Sequence, residues 1–482
     1  MIKSNVWNRK ISEDGRSGIL SVSLIFSLAA IAIALLLAGV VGVFDPSIWC
    51  FVLSAIITIV ILLLRQYELA AVGVLVVQLY VDWYSGLHIV GVGGALVLLV
   101  IFFCARSPQY PWVAPRALWL WGLFLLLAIQ PAIEGAKTRY DLAYYYPNVI
   151  FGALLMFWLG MVIARDVASV RRFFQILAVV GAFLAVITII QAQTGTLWFA
   201  TSRLDASLAK VSNYELIRGS DIYRLGSFFI NPDWNGTFFA VILFIPLGLF
   251  LESSSFLEKV LYLVEMFIIL PALLFTFSTG AWLAAIAGII IFAALVGRVN
   301  YRIQISMFII VAVTVLLLGF SSEISHLFQH GSNSDALAQR NGAWSTAIRA
   351  IQAHPLTGIG LGLQNYLQRA EPYRVPSQVI PLAHPHNSYL ELGAMAGLPV
   401  LGVFLALILF ALWLALRNWA QADRRKRSLL CGGIAAVIVL TINSLSVNGW
   451  TLPPLAATGW LILGMISSPN LAVSLNSKDE PK

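Results

Sequence analysis

Three residues carry the chemistry this sequence offers: His386, Arg340 and Arg224. A neutral imidazole, titrating near pH 6.5, takes a proton from a hydroxyl at ordinary pH. Guanidinium groups bind phosphate oxygens bidentately. Brought together, they would make a base and two anion clamps, a set suited to displacing a phosphate leaving group with a hydroxyl. His386 stands in "HPHNSYLELGAMAGLP", 384–399, where a polar loop meets a long apolar run, and Asn387 follows it. On position alone the simpler reading is a cap, with His386 and Asn387 satisfying free backbone donors of a helix. His384, before Pro385, reads as structural support. Arg340 neighbours Trp344 and Arg224 lies in the turn-rich "RLGSFFINP"; an arginine just outside a membrane also snorkels to lipid headgroups.

Other polar groups offer less. Residues 321–387 hold five of the six histidines, but His326, His330 and His354 lack metal-ligand spacing, and a solvated loop is the default for each. The loops predicted to be external contain no D-x-D pair, so neither a metal nor another cofactor is expected, and arginines would have to supply the positive charge. Glu265, inside an apolar block, is a runner-up site; an intramembrane carboxylate costs about 2.5–3.5 kcal/mol and usually has a job. A buried interhelical hydrogen bond is the milder explanation.

The elements that must position these groups are membrane helices. Of 482 residues, 60% are hydrophobic and 11% charged, with polar islands between apolar blocks of spanning length. The pattern predicts an all-α polytopic bundle of about twelve to fourteen spans: 19–43, 47–64, 67–81, 87–104, 117–133, 148–164, 173–192, 235–251, 259–277, 280–297, 303–320, 391–416, 429–447 and 454–468. With both termini inside, 20 of the 30 Lys and Arg fall in cytoplasmic segments, and the other ten lie in external loops 134–147, 193–234 and 321–390. The chain thus divides into helices up to 192, an external loop 193–234, helices 235–320, a large external loop 321–390, helices 391–468 and a cytoplasmic tail 469–482. "RNWAQADRRKR", 417–427, reads as a positive-inside turn and not a nucleic-acid patch. Cys50, Cys104 and Cys431 sit in or beside apolar blocks, so no disulfide framework is expected. Within the large loop, 335–354 predicts an amphipathic surface helix with Leu337, Trp344, Ala347, Ile348 and Ile351 near one face, stopped by Pro355. "HPLTGIGLG", 354–362, follows, with glycines that permit tight turns and close backbone approach.

These segments resemble the O-antigen ligases and the related O-antigen and exopolysaccharide polymerases of bacteria, polytopic proteins whose large periplasmic loop closes with His-Asn, nine residues and a glycine. Here the pattern is His386, Asn387, 388–396 and Gly397. "RLGSFFINPDWNG" and "AQRNGAWSTAIRAIQAHPLTGIGLG" are similar to the family's segments before and within the loop. The resemblance implies metal-independent, inverting glycosyl transfer at the periplasmic face of the inner membrane. The donor would be a glycan on undecaprenyl diphosphate, the acceptor a hydroxyl on lipid A core or on another glycan. It implies His386 as general base and Arg340 as diphosphate ligand, with Arg224 a third member and Asn387 and His384 in support. Two departures stand out. The ligase pattern expects Gly, Thr or Tyr at the position of Val400, and the family commonly has Ser-Arg-Gly where this chain has Ser278, Thr279 and Gly280. A transporter or lipid flippase is the rival of another class, and an envelope scaffold a third; no inverted repeat supports transport.

Overall fold

The computed structural model describes residues 57–83, 92–107, 110, 113–135, 145–194, 214–216, 223–229, 231–296 and 334–471. The expected spans 19–43 and 303–320, with His88, His326, His330 and Cys50, lie outside the described residues. The fold is all-α, as expected. Fourteen α-helices are described: α1 Tyr67–Trp83, α2 Val92–Arg106, α3 Leu118–Gly135, α4 Gly152–Ile163, α5 Val167–Thr194, α6 Pro232–Ile242, α7 Phe244–Glu252, α8 Phe256–Phe275, α9 Thr279–Val296, α10 Ser334–Ala353, α11 Leu363–Arg369, α12 Ser388–Gln421, α13 Arg424–Asn443 and α14 Pro453–Ile466. One antiparallel strand pair, β1 Tyr214–Leu216 and β2 Tyr223–Leu225, sets Glu215 opposite Arg224.

Among the described residues, seven helical stretches are long and apolar enough to cross a membrane, α6 and α7 together forming one of them. The α6–α7 interruption at Leu243 has a covalent cause: Pro246 has no N–H to offer the carbonyl four residues back, at Ile242. Small residues let the helices approach closely. A Cβ on Gly464 of α14 would lie 2.1 Å from the Phe157 carbonyl oxygen of α4, and one on Gly160 would lie 2.2 Å from that of Leu461. Gly248 of α7 and Gly432 of α13 make a second such seam. At the α7 end of the α6–α7 span, Arg171 of α5 reaches Glu252 at 3.0 Å and Glu258 at 2.6 Å. The 417–427 stretch holds the end of α12, a two-residue turn and the start of α13, where Asp423 accepts from the backbone N–H groups of Arg425 and Lys426.

Hydropathy reads α12 as one continuous run, but the backbone breaks at Gly397, with φ 85° and ψ 166°. Pro399 follows two residues later. Hydrogen bonds lost at the break are replaced from the glycine loop 354–362: Ile359 N–H donates to Ala394 O (2.8 Å), Gly360 N–H to Met395 O (2.9 Å), and Leu398 N–H to Pro355 O (2.8 Å). The same loop ties into α3, where Leu361 N–H donates to Pro131 O at 2.8 Å. Asn365 and Arg369 of α11 hold its carbonyls from behind. Buried backbone groups need such partners, so loop and helix break complete one another. The α10 helix ends at Ala353, before Pro355 as expected, but its buried face is Ala343, Thr346, Ala347 and Ala350; Ile348 points outward.

Candidate active site

The site is assembled at four helix starts and one strand. The α6 start is capped by Asn231, whose side chain accepts from Asp233 N–H at 2.8 Å, with Pro232 in the first turn. That cap points the Asp233 carboxylate toward β2, and Asn235 pins β2 by donating to Leu225 O at 3.1 Å. Arg224, on β2, donates from Nη2 to Asp233 Oδ1 at 2.5 Å and from Nε to Thr276 O at 3.3 Å. Arg340, in the second turn of α10, donates from Nη2 to Asp233 Oδ2 at 2.8 Å. Ser278, just before α9, adds a bond to Asp233 Oδ1 at 2.8 Å. One carboxylate therefore joins both predicted arginines, and the Ser278-Thr279-Gly280 turn that lacks the family's arginine is where Arg224 arrives.

The α12 start supplies the imidazoles. Asn387 is the cap that its position suggested: Oδ1 accepts from Tyr389 N–H (2.9 Å) and Leu390 N–H (3.0 Å), while Nδ2 donates to Leu445 O (2.9 Å). His386 is not part of the cap. It takes a left-handed conformation, φ 51°, uncommon outside glycine although His adopts it more readily than most residues. Its N–H donates to His384 Nδ1 at 3.2 Å and the two rings meet edge to face, centroids 4.3 Å apart. Burial first, and then the Arg340 guanidinium, push the His386 imidazole down to about 4, with Asp233 acting in the opposite sense. Burial and His386 likewise hold His384 well below the ordinary range. Both rings are neutral at physiological pH, so His386 can accept a proton. Thus the structure brings together His386, His384, Asn387, Arg340 and Arg224.

Sequence reasoning missed two contributors. Asp233 was not singled out, although "NPD" at a helix start marked it as fixed. The expected span 429–447 takes in only the first part of the turn 444–452 between α13 and α14, yet Ser388 N–H donates to Ser444 O at 3.0 Å and Trp450 N–H to Ser388 Oγ at 3.0 Å. The Asn, Ser and Gly cluster in "NSLSVNGW" was its signal. Two other candidates stand apart. His354 bonds the Tyr373 hydroxyl at 2.8 Å on the exposed surface. Glu265, in α8, lies outside the cluster, and among the described residues its buried Oε2 has no hydrogen-bond partner.

With this geometry in view, the match to known families gains a location. Residues 265–405 match the O-antigen ligase family. This segment contains Ser278, Arg340, His384, His386, Asn387 and Gly397; Arg224 and Asp233 lie before it. No curated protein matches the chain. Over this segment the chain is similar to the O-antigen ligases, and the seven long apolar helical stretches among the described residues are those of a multi-pass membrane protein. Val400, the departure from the ligase pattern, is a buried packing residue just past the Gly397 break.

Proposed function

We propose that this protein transfers a glycan from undecaprenyl diphosphate to an acceptor hydroxyl at the periplasmic face of the inner membrane, as an O-antigen ligase does. The observation carrying this reading is the convergence of His386, Arg340 and Arg224 inside and beside the family segment. The His386 imidazole removes the acceptor hydroxyl proton as the oxygen attacks the anomeric carbon. The bond from that carbon to the phosphate oxygen breaks, and undecaprenyl diphosphate leaves with the electron pair. Attack opposite the leaving group inverts the anomeric configuration. Arg224 and Arg340 bind the diphosphate and stabilise its growing charge, the work a metal does in other transferases. Among the described residues no three His, Cys, Asp or Glu side chains gather as a ligand set. Both termini are cytoplasmic on the charge bias described above.

Val400 favours the polymerase alternative, in which the acceptor is another lipid-linked repeat and not lipid A core. One assay tests both. Purified protein receives lipid-linked repeat units with and without core acceptor, and products are sized on a gel. Core-dependent product supports a ligase; long chains formed without core support a polymerase. Absence of any transfer, with uptake of the lipid-linked glycan into proteoliposomes, would replace the enzyme by a transporter.

A further inference from the structure

We propose that Asp233 is the positioning residue of this site, fixing the spacing of Arg224 and Arg340 and setting a negative charge opposite His386. The inference rests on the diphosphate reading of the two arginines. Asp233 is itself immobilised: its N–H is held by Asn231, its carbonyl accepts from Thr237 Oγ1 at 2.6 Å, and its carboxylate sits in the first turn of α6, where the helix dipole favours an anion. Its two oxygens go to different guanidinium groups, 2.5 Å to Arg224 and 2.8 Å to Arg340, and Ser278 secures the first. Two arginines brought to one point repel, and they come from chain segments more than a hundred residues apart, so a shared anion is what registers β2 against α10.

Asp233 is an anchor behind the arginines and not a rival for their ligand. Its side chain is 14% exposed, whereas Arg340 is 35% exposed and gives Asp233 one Nη2. The charges about His386 follow from the same arrangement. Arg340 acts from α10 and neutral His384 from its own segment. Arg224 stands beyond Asp233 on β2, Ser278 is neutral, and Asp233 acts from α6. When His386 takes the acceptor proton it becomes a second cation beside Arg340, and Asp233 is the carboxylate that offsets it. Asp233 touches neither substrate nor the migrating proton.

The test uses full-length protein in nanodiscs, with undecaprenyl diphosphate as the binding probe and the pH dependence of kcat/KM as a second readout. Asp233→Asn is expected to weaken undecaprenyl diphosphate binding about tenfold or more. It should also move the acidic limb of kcat/KM to lower pH by about half a unit or more, because the group raising the imidazole affinity for protons is gone. Asp233→Glu keeps the charge but displaces the arginines, so binding weakens while the acidic limb stays in place; it carries the test if Asp233→Asn is not recovered folded. Folded Asp233→Asn protein with wild-type binding and an unmoved acidic limb would overturn the proposal, as would tighter binding, which would make Asp233 a competitor. For Asp233→Glu, unchanged binding overturns it equally. His386→Ala in the same assays separates the two ideas: retained turnover sinks the functional reading alone, since diphosphate binding reports on the clamp without chemistry.

Discussion

The two parts of α12 on either side of Gly397 divide the work of the protein. Residues 398–421 suffice to cross a bilayer, which needs about 20 residues, and they display apolar side chains outward: Leu409 is 65% exposed and Trp413 49%. Residues 388–396 are surplus to crossing. They are enclosed by protein, with Ser388, Glu391 and Ala394 fully buried, and Tyr145 donating to Glu391 Oε1 at 2.8 Å. One part is specified by hydropathy and satisfied by lipid; the other is specified by hydrogen bonds and holds His386. An uninterrupted apolar run can therefore hide a change of function, and the backbone break marks where it occurs.

Perturbations should separate the two parts sharply. His386→Ala, at the head of the first part, should lower transfer from the lipid-linked donor by about 10²–10⁴-fold without lowering thermal stability; full activity would remove the proposed base. Gly397→Ala attacks the boundary itself. Its Cβ would lie 2.4 Å from Leu356 O in a left-handed conformation, so a loss of about 2 kcal/mol or more is expected in detergent unfolding, with activity falling alongside. The His386 environment predicts a distinctive pH profile. Because the neutral ring is the active form and its value lies at about 4, kcat/KM should persist as pH falls to about 5.5, where an unperturbed histidine at about 6.5 would have lost roughly tenfold. An acidic limb centred near 6.5 would contradict that environment. Asn387→Ala should cost about 1 kcal/mol, the worth of a cap, and reduce transfer less than tenfold. Leu409→Ala, on the lipid-facing part, should change stability by less than about 0.5 kcal/mol and leave transfer alone; a large effect there would undo the division.

Local features of the sequence carried over well. The described helices follow the apolar blocks because each block must satisfy its own backbone in lipid, and α10 stops before Pro355 because proline cannot continue it. Of the cap reading of His386-Asn387, only Asn387 fits: it accepts the free donors of α12, and His386 stands outside the cap beside His384. What escaped was long-range. Nothing near Asp233 in the chain signals that Arg340, 107 residues later, shares its carboxylate. The span 391–416 runs through Gly397 because "AMAGLPV" stays apolar across the break, although a glycine two residues before a proline was the local hint. The Ala-rich face of α10 was passed over for its larger side chains, since close helix approach selects small residues that hydropathy undervalues.

The splice between loop 354–362 and the Gly397 break also constrains how the chain is made. Synthesis delivers the loop before α12, so the donors of Ile359 and Gly360 exist when Ala394 and Met395 emerge. Their carbonyls cannot enter an enclosed position alone, each unpaired group costing about 1–3 kcal/mol. The first part of α12 should therefore settle only as the loop folds back onto it, so that closure of the helix break and ordering of the segment after His386 become a single event.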